Sequence, residues 1–218
     1  MTEGDFPRAW RALRKHVSGL KAPWLDELKR RRRTPYEILV SCILSLRTRD
    51  ETTKGSSERL FALARTPGAM AALREKSIER AIYPAGFYRV KARAIKALSR
   101  EIEGKWGGRV PDTLEGLLSL KGVGRKTANL VLSAGFGKPA ICVDTHVHRI
   151  PNRWGLVRTR TPRETELALE KALPRRYWRE INPTLVPFGQ HVCQPVSPWC
   201  SACPIAEYCG RVGVKRSR

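Results

Sequence analysis

Apolar residues recur along the chain in short stretches that have the spacing of helices. Near the N-terminus Trp10, Leu13 and Val17 fall on one helical face. The stretch Ile38–Leu46 is almost continuously apolar, which predicts a helix buried on all sides. No run of alternating apolar and polar residues predicts a strand, and glycine and proline fall mostly between the helical stretches. The pattern predicts an all-α chain of about ten short helices.

The buried helix is preceded by a strong start signal. Thr34 has the side chain of an N-cap, Pro35 suits the first helical position, and Glu37 completes the spacing of a capping box. Cys42 falls inside the apolar run, where a free cysteine behaves as a small core residue. The sequence therefore predicts that the helix begins at Pro35 and that Cys42 serves packing rather than chemistry.

The charge of the chain is strongly unbalanced. Its 218 residues include 42 Lys and Arg but only 20 Asp and Glu, a formal net charge of +22. Such an excess predicts a polyanionic partner, with nucleic acid as the first candidate and an anionic membrane surface as the second. The run Lys29–Arg33 is either a solvated link or a phosphate contact. No apolar run reaches the roughly 20 residues of a membrane span, and the N-terminus lacks the regions of a signal peptide, so we expect a cytoplasmic protein.

A glycine-containing turn joins two predicted helices in the middle of the chain. Gly122, Val123 and Gly124 follow Lys121 and precede Arg125. Glycines at a helix start permit positive φ and an exposed backbone, whose N–H groups lie at the positive end of a helix dipole. An ordinary tight turn is the alternative interpretation. In a chain this basic, the flanking cations favour a phosphate-binding site.

Two residues near this turn are candidates for catalysis. Lys126 lies in the first turn of the second helix, where it is either one more phosphate contact or a nucleophile. An amine beside Arg125 and a helix N-terminus has a reason to lose its proton, and it can then attack a sugar carbon to form a Schiff base. Asp144 precedes a helix with Val147 and Ile150 on its buried face, so it is an expected N-cap. A carboxylate facing a polyanion would also need a chemical role.

The chain has six cysteines, and four of them are clustered near the C-terminus. In a cytoplasmic chain, cysteines stay reduced or bind metal. Four thiolates predict either a 4Fe–4S cluster or an all-thiolate zinc site, and zinc sites more often use two CxxC pairs where this chain has one. Disulfides are the remaining alternative. The four candidate ligands are Cys193, Cys200, Cys203 and Cys209.

Three motifs together resemble one protein family. LKGVGRKTANLVL, then VDTHVHRIPNR, then the cysteine quartet are similar to the endonuclease III family of DNA repair glycosylases, which belongs to the helix-hairpin-helix superfamily. The resemblance extends from about Thr34 to Cys209. It implies a fold of two all-α lobes: a six-helix lobe of residues 28–138 that contains the helix-hairpin-helix, and a second lobe of 1–27 and 139–218 with a C-terminal iron–sulfur cluster loop.

The resemblance also implies roles for individual residues. Lys126 occupies the position of the nucleophilic lysine, and Asp144 that of the catalytic aspartate. Gly122–Gly124, with Lys121 and Arg125 beside them, correspond to the hairpin that contacts the DNA backbone. The four cysteines correspond to the ligands of a 4Fe–4S cluster, which we expect to be structural.

The chain departs from the family pattern at three places. Lys121 stands where the family commonly has proline. The family usually carries a glutamine at or near Leu46–Arg47, in a region that fills the gap left by the extruded nucleotide, and Arg47 would take this DNA-contacting role here. The cluster loop Gln194–Trp199 contains no Lys or Arg. Cations near it would have to come from the basic tail, namely Arg211, Lys215, Arg216 and Arg218.

The resemblance implies a bifunctional enzyme. We expect a DNA glycosylase and abasic-site lyase that removes oxidised pyrimidines from duplex DNA and nicks the strand by β-elimination. We expect it to work as a monomer, associated with the nucleoid and not with membranes. The alternatives are a monofunctional mismatch glycosylase, a divergent paralogue that acts mainly as a DNA-binding or abasic-site protein, a non-catalytic DNA-binding module that uses the hairpin alone, and an iron–sulfur electron carrier.

Overall fold

The computed structural model describes residues 1–20 and 33–218, and within these ranges it contains helices and no strand. The all-α prediction is confirmed. A π-helical turn, Val131–Gly135, continues the eighth helix, and a 3₁₀ turn covers Ala206–Tyr208. Of the basic run, only Arg33 lies within the described residues. The helices are α1 (Phe6–Val17), α2 (Pro35–Ser45), α3 (Asp50–Leu63), α4 (Pro67–Ala72), α5 (Glu75–Ile82), α6 (Tyr88–Trp106), α7 (Leu114–Ser119), α8 (Arg125–Leu130), α9 (Thr145–Trp154), α10 (Pro162–Ala172) and α11 (Arg175–His191).

The chain divides into two compact units. One contains the N-terminal helix together with Pro139–Arg218, and the other ends at Lys138. The predicted lobes, 28–138 and 1–27 with 139–218, have their N-terminal limits outside the described residues and stay a prediction. None of the described helices has the length and apolar character that crossing a membrane requires.

Helix α2 is the centre of the unit that ends at Lys138. The Thr34 hydroxyl accepts a hydrogen bond from the Glu37 amide at 3.2 Å, and the Glu37 carboxylate accepts one from the Thr34 amide at 3.0 Å, so the predicted capping box is present. Cys42 is buried, as predicted. The prediction was wrong at Leu46, which is 48% exposed because the helix ends at Ser45 and the backbone turns outward there.

Helix α6 packs on the same unit with its apolar face. Ala92, Ile95 and Leu98 are buried, and Gly107 ends the helix in the left-handed conformation with φ of +55°. The helix carries several cations, and one of them, Lys91, is buried and only 6% exposed. One of its cations therefore serves the interior of the unit.

The other unit has a core of its own. Aromatic and aliphatic residues of α1, α9 and α11 form it, among them Trp10, Val147, Ile150 and Phe188. The rings of Phe6 and Trp10 are stacked with their centroids 5.2 Å apart. Because Val147 and Ile150 are anchored in this core, the N-terminus of α9 has a defined position within its unit.

Candidate functional site

The turn between α7 and α8 is a short hairpin with one buried anchor. Val123 is buried, and its amide donates to the Leu120 carbonyl at 3.1 Å. Gly122 has φ of +85°, a conformation that other residues adopt at a cost. Gly124 has φ of −89°, so the left-handed backbone expected at both glycines is present only at Gly122. A Cβ atom at either position would meet nothing within 4 Å, so the backbone there faces open space.

Two cations flank the hairpin. Lys121 is exposed, and its backbone amide donates to a carboxylate oxygen of Glu101 at 3.2 Å, which ties the hairpin to α6. Hydrogen bonds from the Lys105 side chain and then from this amide hold the pKa of Glu101 below its usual value. Arg125 is the first residue of α8 and half-buried. An open backbone between two cations is suited to a phosphate group.

Lys126 follows as the second residue of α8, and it is exposed. Its charge lies near the thiol of Cys42: burial raises the pKa of Cys42 to about 12, and the Lys126 ammonium opposes part of that rise. The structure therefore places the candidate nucleophile at the surface, directly after the hairpin, with the end of α2 beneath it.

Asp144 is the N-cap of α9, as predicted. Its Oδ1 accepts hydrogen bonds from the amides of His146 and Val147, both at 2.9 Å. Oδ2 has no hydrogen-bond partner among the described residues. The side chain is half-buried, so a carboxylate oxygen remains available to a ligand. Lys126 and Asp144 belong to different units of the chain.

Arg47 is a further DNA-contact candidate, and it lies in the same unit as the hairpin. It lies on the turn after α2 with φ of +50°, and its side chain is exposed. The guanidinium carbon is 5.9 Å from the centroid of the Phe87 ring. Phe87 itself is 62% exposed and also has positive φ. The two side chains form a cation–aromatic pair on the surface.

The four C-terminal cysteines line one pocket of about 380 Å³, part of it open to solvent. All four are free thiols in the structure, with no disulfide among them. Burial, together with the charges of the other three sulfurs, raises the pKa of Cys203 to about 11, which indicates that the four lie close together. They are Cys193, Cys200, Cys203 and Cys209.

The chemistry of this pocket fits an iron–sulfur cluster. Among the described residues, no three His, Cys, Asp or Glu side chains already stand in a geometry that would hold a metal ion. The donors are nevertheless four thiols around a common space, the soft ligands that iron–sulfur clusters and zinc take. The Arg211 amide donates to the Cys209 sulfur at 3.4 Å, and an Arg153 N–H lies 3.6 Å from the Cys193 sulfur. Such N–H···S contacts stabilise thiolate ligands.

Two arginines of α9 support the cysteine loop. Arg149 donates to the Cys193 carbonyl at 2.8 Å, and Arg153 donates to the carbonyls of Gln194 and Pro195, both at 2.5 Å. Sequence reasoning did not find these contacts. The signal available was the spacing of the two arginines, four residues apart on the helix that Asp144 caps, which places them on one face.

The C-terminal tail places a cation beside the cluster loop Gln194–Trp199, which contains no Lys or Arg of its own. The Arg218 guanidinium lies 4.4 Å from the Trp199 ring centroid, and it donates to the Ser197 carbonyl at 3.1 Å and the Gln194 side chain at 3.0 Å. Arg218 therefore binds the cluster loop itself, and compensation by the tail as a phosphate contact stays a prediction.

Comparison with known proteins decides the family. Residues 40–175 match the HhH-GPD superfamily of base excision DNA repair proteins. Endonuclease III of Thermotoga maritima is 51% identical over 175 residues, which cover 80% of this chain and 82% of that protein. The chain belongs to the endonuclease III family. It is therefore a base excision repair enzyme of the DNA glycosylase/lyase class.

Two further comparisons agree with this membership. The endonuclease III-like protein 1 of Gallus gallus is 42% identical over 177 residues; the match covers 80% of this chain and 63% of the longer relative. A solved endonuclease III, trapped as a covalent intermediate with DNA, matches with a TM-score of 0.83 at 33% identity and covers 97% of both chains. The predicted helix-hairpin-helix glycosylase fold is confirmed.

Proposed function

We propose that this endonuclease III family member removes oxidised pyrimidines from duplex DNA and then nicks the strand at the resulting abasic site. The observation that carries the proposal is an exposed lysine, Lys126, directly after a hairpin whose backbone faces open space. A monofunctional glycosylase activates water and has no need of an amine at this position.

The DNA partner follows from charge and from the hairpin. The trapped endonuclease III that this chain resembles is bound to DNA. Here the open backbone of Gly122–Gly124, with Lys121 and Arg125 beside it, binds phosphates of a double-stranded substrate. A net charge of +22 supplies long-range attraction, so affinity falls steeply as salt rises. The enzyme acts as a monomer, with Arg47 contacting the DNA at the place that the damaged nucleotide leaves.

Catalysis begins when the damaged nucleotide leaves the base stack, because its sugar carbon is otherwise unreachable. The amine of Lys126 attacks C1′, the glycosidic bond breaks, and its electron pair leaves with the base, which is protonated. Asp144 stabilises the positive charge that develops on the sugar. The covalent intermediate becomes a Schiff base as the sugar ring opens. Loss of a C2′ proton then expels the 3′ phosphate by β-elimination.

The cysteine quartet holds a 4Fe–4S cluster in this proposal. Cys193, Cys200, Cys203 and Cys209 are the four ligands, and the cluster, when bound, supplies a structural crosslink for a segment with few apolar residues. The arginines of α9 and Arg218 support the loop around it. A brown protein that absorbs visible light and loses its colour in Cys203→Ser is the expected result; a colourless protein that contains zinc would contradict it.

The organisation of the chain and its location complete the proposal. The lobe of residues 28–138 presents the hairpin and Lys126, and the lobe of 1–27 with 139–218 presents Asp144. Because its substrate is chromosomal DNA, the enzyme works in the cytoplasm in association with the nucleoid.

The nucleophile is tested by reductive trapping. The protein is mixed with duplex DNA that carries thymine glycol, and borohydride is added to reduce any Schiff base. We expect a covalent complex that is absent in Lys126→Ala and retained in Lys121→Ala, a matched change in the same hairpin that affects only phosphate binding. Base release without trapping would instead support a monofunctional glycosylase, and trapping that survives Lys126→Ala would refute the assignment.

A further inference from the structure

Lys91 is a buried cation that the proposed chemistry does not use. Its ammonium donates three hydrogen bonds: to the Leu44 carbonyl at 2.7 Å, the Leu46 carbonyl at 2.6 Å and the Thr48 hydroxyl at 2.7 Å. All three acceptors belong to the end of α2 and the turn that follows it. Among the described residues no carboxylate pairs with Lys91. All three hydrogen-bond donors of the ammonium therefore bind a single turn.

The turn that Lys91 binds contains Arg47. The Leu46 carbonyl and the Thr48 hydroxyl flank Arg47 on both sides, so the ammonium holds the backbone before Arg47 and the side chain after it. Arg47 has φ of +50°, a conformation that a residue with a side chain keeps only where its surroundings impose it. The contacts of Lys91 are a physical reason for this conformation.

A second contact comes from the segment before α6. The Gly86 amide donates to the Thr48 hydroxyl at 3.2 Å, and a Cβ atom at Gly86 would lie 2.7 Å from the Arg47 carbonyl oxygen. The backbone of Arg47 is thus held against the segment before α6, while its side chain is exposed beside Phe87. The backbone of the turn is therefore in contact with two other segments, while the Arg47 side chain at its tip is exposed.

Stability alone does not account for a lysine at this position. Burial lowers the pKa of Lys91 to about 8, which shows that keeping a charge there is unfavourable. An apolar residue of similar length would fill the same volume without this penalty. An apolar residue cannot donate hydrogen bonds to the three oxygens that surround the Lys91 ammonium. The positions of those oxygens define the shape of the Arg47 turn.

We propose that Lys91 is a positioning residue for base excision: it holds the turn after α2 in the shape that aims Arg47 into the space left by the extruded nucleotide. The inference rests on the proposed function, because Arg47 is expected to contact DNA only if the protein extrudes a nucleotide. Lys91 itself touches neither DNA nor the reacting atoms, and it acts through Arg47.

A double-mutant cycle tests this route. Single-turnover base release from thymine glycol duplex is measured for the unmodified protein, Lys91→Met, Arg47→Ala and the double variant. We expect each single change to lower the rate at least tenfold and the double variant to stay within twofold of Arg47→Ala. Affinity of Lys91→Met for undamaged duplex should stay within twofold, since its phosphate contacts are intact. Arg100→Met, which removes an exposed cation from the same helix, should leave the rate unchanged.

Several outcomes overturn the inference. If Lys91→Met lowers the rate by the same factor in the Arg47→Ala background, the lysine acts on the fold as a whole. An unchanged rate in either single variant refutes it as well. If Lys91→Met does not fold, Thr48→Val replaces it in the cycle, because that change removes one acceptor of Lys91 and the acceptor of the Gly86 amide; additive effects with Arg47→Ala would then be the contradiction.

Failure of the proposed function would look different. The unmodified protein is first tested for borohydride trapping. Absence of trapping refutes the proposed lyase chemistry, whereas trapping combined with an unaffected Arg47→Ala variant refutes only the role of Lys91 and Arg47.

Discussion

The α7–α8 hairpin and the Arg47 turn both present a left-handed residue at the surface, and they maintain it by opposite means. In the hairpin the residue is Gly122, which needs no help to adopt φ of +85°. In the turn it is Arg47, held by Lys91 and Gly86 from a segment about forty residues away. A backbone conformation can thus be determined by the local sequence or by contacts with distant residues, and a sequence motif predicts only the first kind.

The largest expected effect is a difference in the free energy of unfolding between alanine substitutions at two glycines, Gly86 and Gly124. Gly86→Ala places a Cβ atom 2.7 Å from the Arg47 carbonyl oxygen, so we expect a loss of about 3 kcal/mol in the free energy of unfolding. Gly124→Ala meets nothing within 4 Å and should change that free energy by less than about 0.5 kcal/mol. Urea unfolding of both variants measures the difference, and equal losses would remove the contrast between the two turns.

A second glycine change tests the hairpin directly. Gly122→Ala forces a side chain into φ of +85°, which should cost about 1–2 kcal/mol of stability. Gly122→Asn should cost less, because asparagine tolerates this conformation better. Thermal unfolding of the pair gives the comparison. If both variants were as stable as the unmodified protein, the hairpin would not depend on the left-handed backbone.

A third prediction concerns the local signals that lead into the hairpin. The Thr113 hydroxyl caps α7 by accepting from the Gly116 amide at 3.1 Å, so Thr113→Ala should cost about 1 kcal/mol. Thr113→Ser keeps the hydroxyl and should recover most of that loss. Chemical denaturation at neutral pH measures it, and an unaffected Thr113→Ala variant would show that the cap contributes nothing to this region.

A fourth prediction is a pH dependence that comes from the Arg47 turn. Lys91 has a pKa of about 8 in the folded protein and 10.5 as its ordinary value. Between these values the unfolded chain binds more protons than the folded one, so the contribution of Lys91 to stability increases as pH rises through that window. The difference in unfolding free energy between the unmodified protein and Lys91→Met should therefore grow from pH 8 to 10.5. A difference that is constant or falls with pH would contradict the burial of a charged amine.

Much of the fold and part of the site follow from local sequence. The Thr34–Glu37 capping box, the Asp144 cap and the Gly122 turn each depend on residues within three positions of one another. The cysteine quartet lies within one 17-residue segment, and its spacing indicated a common ligand set. Such features are predictable because the residues that interact lie close together in the sequence.

The remaining features depend on contacts between distant residues. Nothing near Lys91 indicated that it would turn inward to bind oxygens of residues 44–48, and nothing near Arg218 indicated its contact with Trp199. Leu46 was expected to be buried because its neighbours are apolar, yet the end of α2 carries it outward. The periodicity of apolar residues predicts which face of a helix is buried. It does not predict where a helix ends when contacts with distant residues determine that end.

The identity of the nucleophile is the central claim of the proposed chemistry. The borohydride-reduced complex with thymine glycol duplex can be digested with protease and nuclease, and the lysine that carries the sugar remnant located by mass spectrometry. We predict a single adduct on Lys126. An adduct on Lys121 or on another lysine, with Lys126 unmodified, would contradict the central claim.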